Sequence, residues 1–376
     1  MNNNAIGLYI HLPFCIRKCG YCDFCSLPSV SEEAMASYVA ALRKEMAHYA
    51  PLVKDKRVDT LFFGGGTPTL LPLSLMQELF SDIYRLFSVD KDAEITVEAN
   101  PASADREKLA GLCALGVNRL SIGVQSLSDG ELALLGRVHS AKDALDFYAD
   151  ARAVGFSSIN LDLMYAIPSQ TAESFKETLQ TALSLAPEHL SVYSLIVEEG
   201  TPFYEKGASL SLPDEEEEEA MRLLLLRETD NAGYERYEIS NFAKNGYACR
   251  HNLHYWRNEE YLGFGLAAYS YFGGVRYGNG RDMQAYLQAP TGVVSEREVL
   301  SAEDKAYEYV MTRLRLREGF SLAEYRCRFG VDFMEQNGAQ ASEYLAADLM
   351  KNENGRIFLT DKGMNLSNSI LVSFLP

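Results

Sequence analysis

The sequence predicts an α/β protein: six successive strand–helix units that build a parallel sheet, then a small helical domain with a wing-like hairpin. Two observations predict it. Over the first two-thirds of the chain, short apolar runs of strand length alternate with longer amphipathic stretches, and that alternation implies parallel strands joined by right-handed crossovers. Beyond about residue 296 the alternation stops and helical patterning takes over. Six units are too few to close an eight-stranded barrel. The sheet therefore either curls into a partial barrel, open on one side, or lies flat with helices on both faces.

The elements follow in order. Residues 7–12 read as a strand, ended by Pro13. Over 32–49, Met35, Tyr38, Val39, Leu42, Met46 and Tyr49 fall on one helical face. Strand 58–63 precedes helix 72–87, strand 95–98 precedes helix 103–115, and strand 119–124 precedes helix 140–154. Strand 159–163 and helix 171–185 form the fifth unit, strand 190–195 and helix 214–232 the sixth. Pro213, Asp214 and the five glutamates of 215–219 suit the start of that last helix, where the macrodipole favours negative charge. In the tail, 302–316 and 342–351 read as helices, a short helix starts at 322–325, and 355–360 suggests a hairpin. The organisation expected is a barrel domain over 1–235, a connecting segment over 236–295 and a C-terminal domain over 296–376.

Composition limits the function. With 47% hydrophobic and 23% charged residues the chain is that of an ordinary globular protein. A formal charge of −17 without a long basic cluster argues against nucleic acid as a partner. The start Met1-Asn2-Asn3-Asn4-Ala5-Ile6-Gly7 lacks the basic and apolar run of a signal peptide, and no stretch is long and apolar enough to span a bilayer. A cytoplasmic setting is expected, where seven cysteines point to metal or catalysis before disulfides.

Four of those cysteines lie between residues 15 and 25. Cys15, Cys19 and Cys22 form C-x3-C-x2-C in the loop after the first strand. Three thiolates in one short loop can hold three irons of a cubane cluster and leave the fourth iron open. The competing reading is a zinc knuckle completed by Cys25. Cys113, Cys249 and Cys327 stand alone and read as buried small hydrophobes. Gly64, Gly65, Gly66 and Thr67 follow the second strand, Glu98 closes the third, Gln125 follows the fourth, and Asp162 lies near the end of the fifth. In a parallel array these positions share the carboxyl edge, where ligands bind.

The stretch Tyr9-Ile10-His11-Leu12-Pro13-Phe14-Cys15-Ile16-Arg17-Lys18-Cys19-Gly20-Tyr21-Cys22 resembles the cluster loop of radical SAM proteins related to oxygen-independent coproporphyrinogen III oxidase, and within that group its heme-chaperone branch. The runs 63–69, 98–101, 119–126, 160–165, 234–243 and 251–256 extend the likeness. The resemblance implies a partial (β/α)6 barrel with a [4Fe–4S] cluster on Cys15, Cys19 and Cys22, and S-adenosylmethionine on the open iron. It implies that Gly64, Gly65 and Gly66 let backbone carbonyls approach the methionine amino group, that Glu98 lies near the methionine end, that Tyr9 and Thr67 also bind S-adenosylmethionine, and that Arg137 pairs with the carboxylate. It also implies that Gln125 and Asp162 hold the ribose and that Tyr21 packs by the adenine. One electron through the cluster would then split the sulfonium into methionine and a 5′-deoxyadenosyl radical.

Two functions compete: a chaperone that binds heme and delivers it to target proteins, and the oxidase that decarboxylates coproporphyrinogen III in porphyrin biosynthesis. A heme-opening enzyme ranks third. Only 14 residues precede Cys15, where the oxidases carry a longer extension, and Phe24 stands where the oxidases place a cysteine; both features favour the chaperone. The run from His251 to Trp256 resembles the HNxxYW motif of that branch, which makes His251 a candidate heme ligand. His254 and Trp256 read as packing residues. Tyr269 replaces a histidine and Ala166 a glycine usual in relatives. The implied partners are heme-accepting proteins, some membrane-associated, and an electron donor such as a flavodoxin or ferredoxin; relatives can form a homodimer.

Overall fold

A computed structural model describes residues 4–374; Met1 to Asn3, read above for a leader, lie outside them. The six expected strands are present: β1 (Ala5–Leu12), β2 (Arg57–Gly65), β3 (Val89–Ala99), β4 (Arg119–Gln125), β5 (Ser158–Tyr165) and β6 (His189–Ser194). Each pairs in parallel with the next. Six helices follow them in turn: α1 (Glu32–Tyr49), α2 (Leu73–Leu86), α3 (Arg106–Ala114), α4 (Ala141–Ala153), α5 (Ala172–Ser184) and α6 (Glu215–Asn231). The strands are largely buried on both faces, β4 from Arg119 to Val124, as in a parallel sheet covered by helices; Leu120, Ile122 and Val124 form its apolar face, and Arg119, Ser121 and Gly123 alternate with them on the other. Asp214 caps α6 by accepting from the Glu217 amide at 2.9 Å, so the acidic run sits at a helix start, as its charge pattern predicts.

The sheet is larger than six strands. Residues 235–299 add β7 (Glu235–Arg236) and β8 (Asn241–Ala243) beyond β6, then helix α7 (Arg250–Trp256). Strand β9 (Tyr261–Phe264) returns to pair in parallel with β1, Gly7 facing Tyr261. Three antiparallel strands, β10 (Tyr269–Phe272), β11 (Val275–Asn279) and β12 (Val294–Val299), complete twelve, and the two ends of the sheet do not pair. It is a curled sheet rather than a closed barrel.

Residues 302–374 carry a second core around Tyr309, Phe320, Tyr325, Phe333 and Phe374. The hairpin pairs Met350–Glu353 with Arg356–Leu359 across Asn354 and Gly355, both at positive φ, the backbone of a two-residue type I′ turn. The helix expected over 342–351 instead spans Phe333–Ala346. Its start was signalled by Asp332, which accepts from the amides of Met334 and Glu335, and Met350 already belongs to the hairpin. Among the described residues no helix is long and apolar enough to cross a membrane.

Candidate metal and cofactor site

The loop that leaves β1 carries the three cysteines, and its base is tied shut. Phe14 and Cys15 pair in parallel with Leu27 and Pro28. The Thr67 amide donates to the Phe14 carbonyl at 2.7 Å and the Gly66 amide to that of Leu12 at 2.9 Å. Gly66 must be glycine for this approach: a Cβ would lie 2.6 Å from the Phe14 carbonyl oxygen. The middle of the loop is held from the other side. Arg17 donates to the Gly136 carbonyl, and the Gly20 amide to that of Leu135 at 3.1 Å.

A cavity of about 510 Å³ opens at the carboxyl ends of the strands. Cys15, Cys19, Cys22, Tyr21, Gly65, Gly66, Thr67, Glu98, Gln125, Arg137 and Asp162 all line it. Eleven residues scattered over nearly 150 positions of sequence thus share one space, as expected of a common strand edge. Gly64 and Tyr9 do not line it. The Gly64 α-carbon faces Phe62 and Glu98, and the Tyr9 hydroxyl lies 3.0 Å from His11 Nδ1.

Cys15 Sγ lies 3.9 Å from the Thr67 hydroxyl, and Arg137 Nη1 donates to Cys19 Sγ at 3.6 Å. Burial raises the pKa of Cys15 and Cys22, and the neighbouring thiols add to the rise. Among the described residues no three His, Cys, Asp or Glu side chains converge closely enough to hold a single metal ion. Three thiols on one loop can each take an iron of a cubane cluster. Cys25 is half-buried against the main core and does not line the cavity. Cys249 is buried and Cys113 packs on the same core, but Cys327 is exposed on an outward helix face, contrary to the expectation for it.

The polar walls are organised. Arg137 Nη2 donates to the carbonyl of Gly123 at 2.5 Å and to Asn100 Oδ1, while its Nε–H is buried without an acceptor. That orphan donor and the thiol-rich loop fit a group carrying a carboxylate and a cluster. Glu98 accepts from the Gly65 amide at 3.0 Å. It is walled by protein yet open to the cavity, and burial, helped by the Asp162 charge, lifts its pKa to about 8. Asp162 accepts from Asn160 at 2.7 Å, and burial raises its pKa too. Gln125 takes φ +67° where a bulge breaks the β4–β5 register, a backbone cost often found at ligand sites. Tyr21 packs toward Phe203, with ring centroids 6.4 Å apart.

His251 is elsewhere. It sits on α7 under the opposite, amino end of the strands, 1% exposed and stacked on Phe62. Nδ1 is 2.9 Å from the Thr60 hydroxyl and Nε2 is 2.8 Å from that of Tyr255. Both nitrogens are thus engaged inside the barrel floor. His254 does more than pack: against burial, which would lower it, Asp59 and Glu259 raise its pKa to about 9. Trp256 lies under the Arg315 guanidinium at 4.5 Å. Tyr269 is exposed on β10 and donates to Glu296. A buried chain that the sequence did not signal links the two ends: Asp162, Asn160, His189, Tyr237 and the Cys249 amide, each within hydrogen-bond reach of the next.

The family model described as the radical SAM superfamily matches residues 9–182, and that of the HemN C-terminal domain matches 300–366. The heme chaperone HemW of Bacillus subtilis is 37% identical over 98% of both chains. That of Escherichia coli is 36% identical, again over 98% of both. Among solved structures, the coproporphyrinogen III oxidase HemN of Escherichia coli, a radical SAM enzyme, superposes with a TM-score of 0.89 at 25% identity, over 99% of this chain and 90% of that one. With identity of this level along nearly its whole length, and a cysteine loop set at the carboxyl edge of an open barrel, the chain belongs to the radical SAM superfamily, in the family of the heme chaperone HemW.

Proposed function

We propose that this protein binds heme and passes it to target proteins, with a [4Fe–4S] cluster and S-adenosylmethionine as resident cofactors. The observation that carries the reading is the near-full-length identity to proteins named heme chaperone HemW. Decarboxylation of coproporphyrinogen III is not favoured, since the oxidase shares the fold at lower identity.

Cys15, Cys19 and Cys22 would hold the cluster and leave one iron to S-adenosylmethionine. When bound, the pair supplies reductive radical chemistry. Arg137, which lines the cavity and whose Nε–H is buried without an acceptor, would pair with the carboxylate. Glu98, protonated near neutral pH, would give up its proton to face the ammonium group, beside the carbonyls of Gly64 to Gly66 and the Thr67 hydroxyl. Asp162, with the carboxamide of Gln125, would accept from the ribose hydroxyls, and Tyr21 would cover the adenine. Tyr9 would act from behind, through His11. The partners are heme-accepting proteins and an electron donor such as a flavodoxin or ferredoxin, in the cytoplasm, with a homodimer as the assembly.

The test is anaerobic reconstitution followed by iron and sulfide analysis, heme titration and transfer to an apo-acceptor. Substituting Ser for Cys15, Cys19 or Cys22 should abolish the cluster, whereas Cys25→Ser should keep it. Zinc in place of iron sinks the cofactor assignment. Coproporphyrinogen III losing two carboxyl groups in a cluster-dependent way sinks the chaperone reading.

A further inference from the structure

His11 does not line the cavity, yet it is 4% exposed and both of its ring nitrogens and its carbonyl are engaged. Nε2 lies 2.8 Å from the carbonyl of Cys25. A carbonyl only accepts, so Nε2 carries the hydrogen and Nδ1 is the bare nitrogen that accepts from the Tyr9 hydroxyl at 3.0 Å. Burial lowers the His11 pKa, in keeping with that neutral form. Its backbone carbonyl accepts from the Tyr38 hydroxyl at 2.8 Å, and the Tyr38 oxygen in turn accepts from the Leu266 amide at 3.0 Å. The imidazole also fills the space against the glycine turn, for at Gly65, with φ +112°, a Cβ would lie 2.4 Å from His11 Cε1.

One ring therefore touches three parts of the site: the strand that enters the cysteine loop, the residue at which that loop returns, and the glycine turn beside it. The backbone ladder at Phe14–Cys15 and Leu27–Pro28 ties the loop base along one line only. The contact to the Cys25 carbonyl is a side-chain fastening that stops the returning arm from pivoting about it. We propose that His11 is a positioning residue: by donating from Nε2 to the Cys25 carbonyl, it holds the arm of the loop against β1 and keeps the three thiols spaced for a cluster. It also explains Cys25, whose part is played by its carbonyl while its side chain merely packs on the core. The inference rests on the cofactor reading above.

The test compares two amides of different reach. In H11Q the amide nitrogen extends to the place of Nε2; in H11N it stops near that of Nδ1. After anaerobic reconstitution, iron loss to a chelator and the electron paramagnetic resonance of the reduced cluster are followed, with apo-protein melting as a control of folding. H11N should lose iron on the order of tenfold faster than the parent, the scale of a lost outer-shell partner, and show a broadened signal. H11Q should stay within about threefold of the parent on that scale. H11L, which has no donor, should follow H11N. Equal loss from H11N and H11Q, or loss from neither, overturns the positioning role while leaving the cluster intact. A parent protein that takes up no cluster overturns the cofactor reading and this inference together.

Discussion

Glu45 sits on the buried face of α1 and is 1% exposed. It accepts from Asn279, from the Gly265 amide and from the Tyr286 hydroxyl. Burial outweighs those three donors and raises its pKa from 4.5 to about 7. A carboxyl raised in this way destabilises the fold as it ionises. Below the unfolded value near 4.5 nothing is lost; as pH climbs toward about 7 the unfolded chain ionises first, and the loss is complete above that. Glu45→Gln should therefore gain on the parent by about 3 kcal/mol between pH 4.5 and pH 8, read from urea unfolding at several pH values; a difference flat with pH would refute the assignment. The sequence carried a signal here, since Glu45 falls among Tyr38, Leu42 and Tyr49 on the apolar face of the helix. The three cysteines were legible because their chemistry is written in local spacing. His11 was not, because its partners Tyr9, Cys25 and Gly65 meet it only in the folded chain.

At the scale of elements, loops after the strands hold the strain. Ala166, just past β5, is buried and takes φ +58°, so the loop keeps a left-handed backbone in spite of the methyl group. That conformation costs an L-residue about 1–2 kcal/mol. Ala166→Gly should raise stability by about 1 kcal/mol in denaturant titration, the extra freedom of glycine in the unfolded chain offsetting the rest; a loss of stability would show that the buried methyl matters more. The crossover helices were legible because a 3.6-residue apolar period survives in each. The strands of 235–299 were not, being two to six residues long and set by partners elsewhere in the sheet.

Across the whole molecule, the sheet order departs most from chain order where β9 lies beside β1. No local pattern encodes that pairing. It covers one edge of β1, a strand buried along most of its length, and the other edge is covered by β2. A chain cut before Tyr261 should expose the apolar edge of β1 and aggregate, seen as a shift to the insoluble fraction, whereas a cut near residue 300 keeps the main core and should stay soluble. A monomeric, soluble product from the shorter chain would refute this. The same adjacency sets a clock for biosynthesis. The roughly 250 residues between Gly7 and Tyr261 take on the order of 10–50 s to emerge from a ribosome. The strand that leads into the cysteine loop is thus among the first segments translated, yet it waits for its second edge until more than two-thirds of the chain has been made.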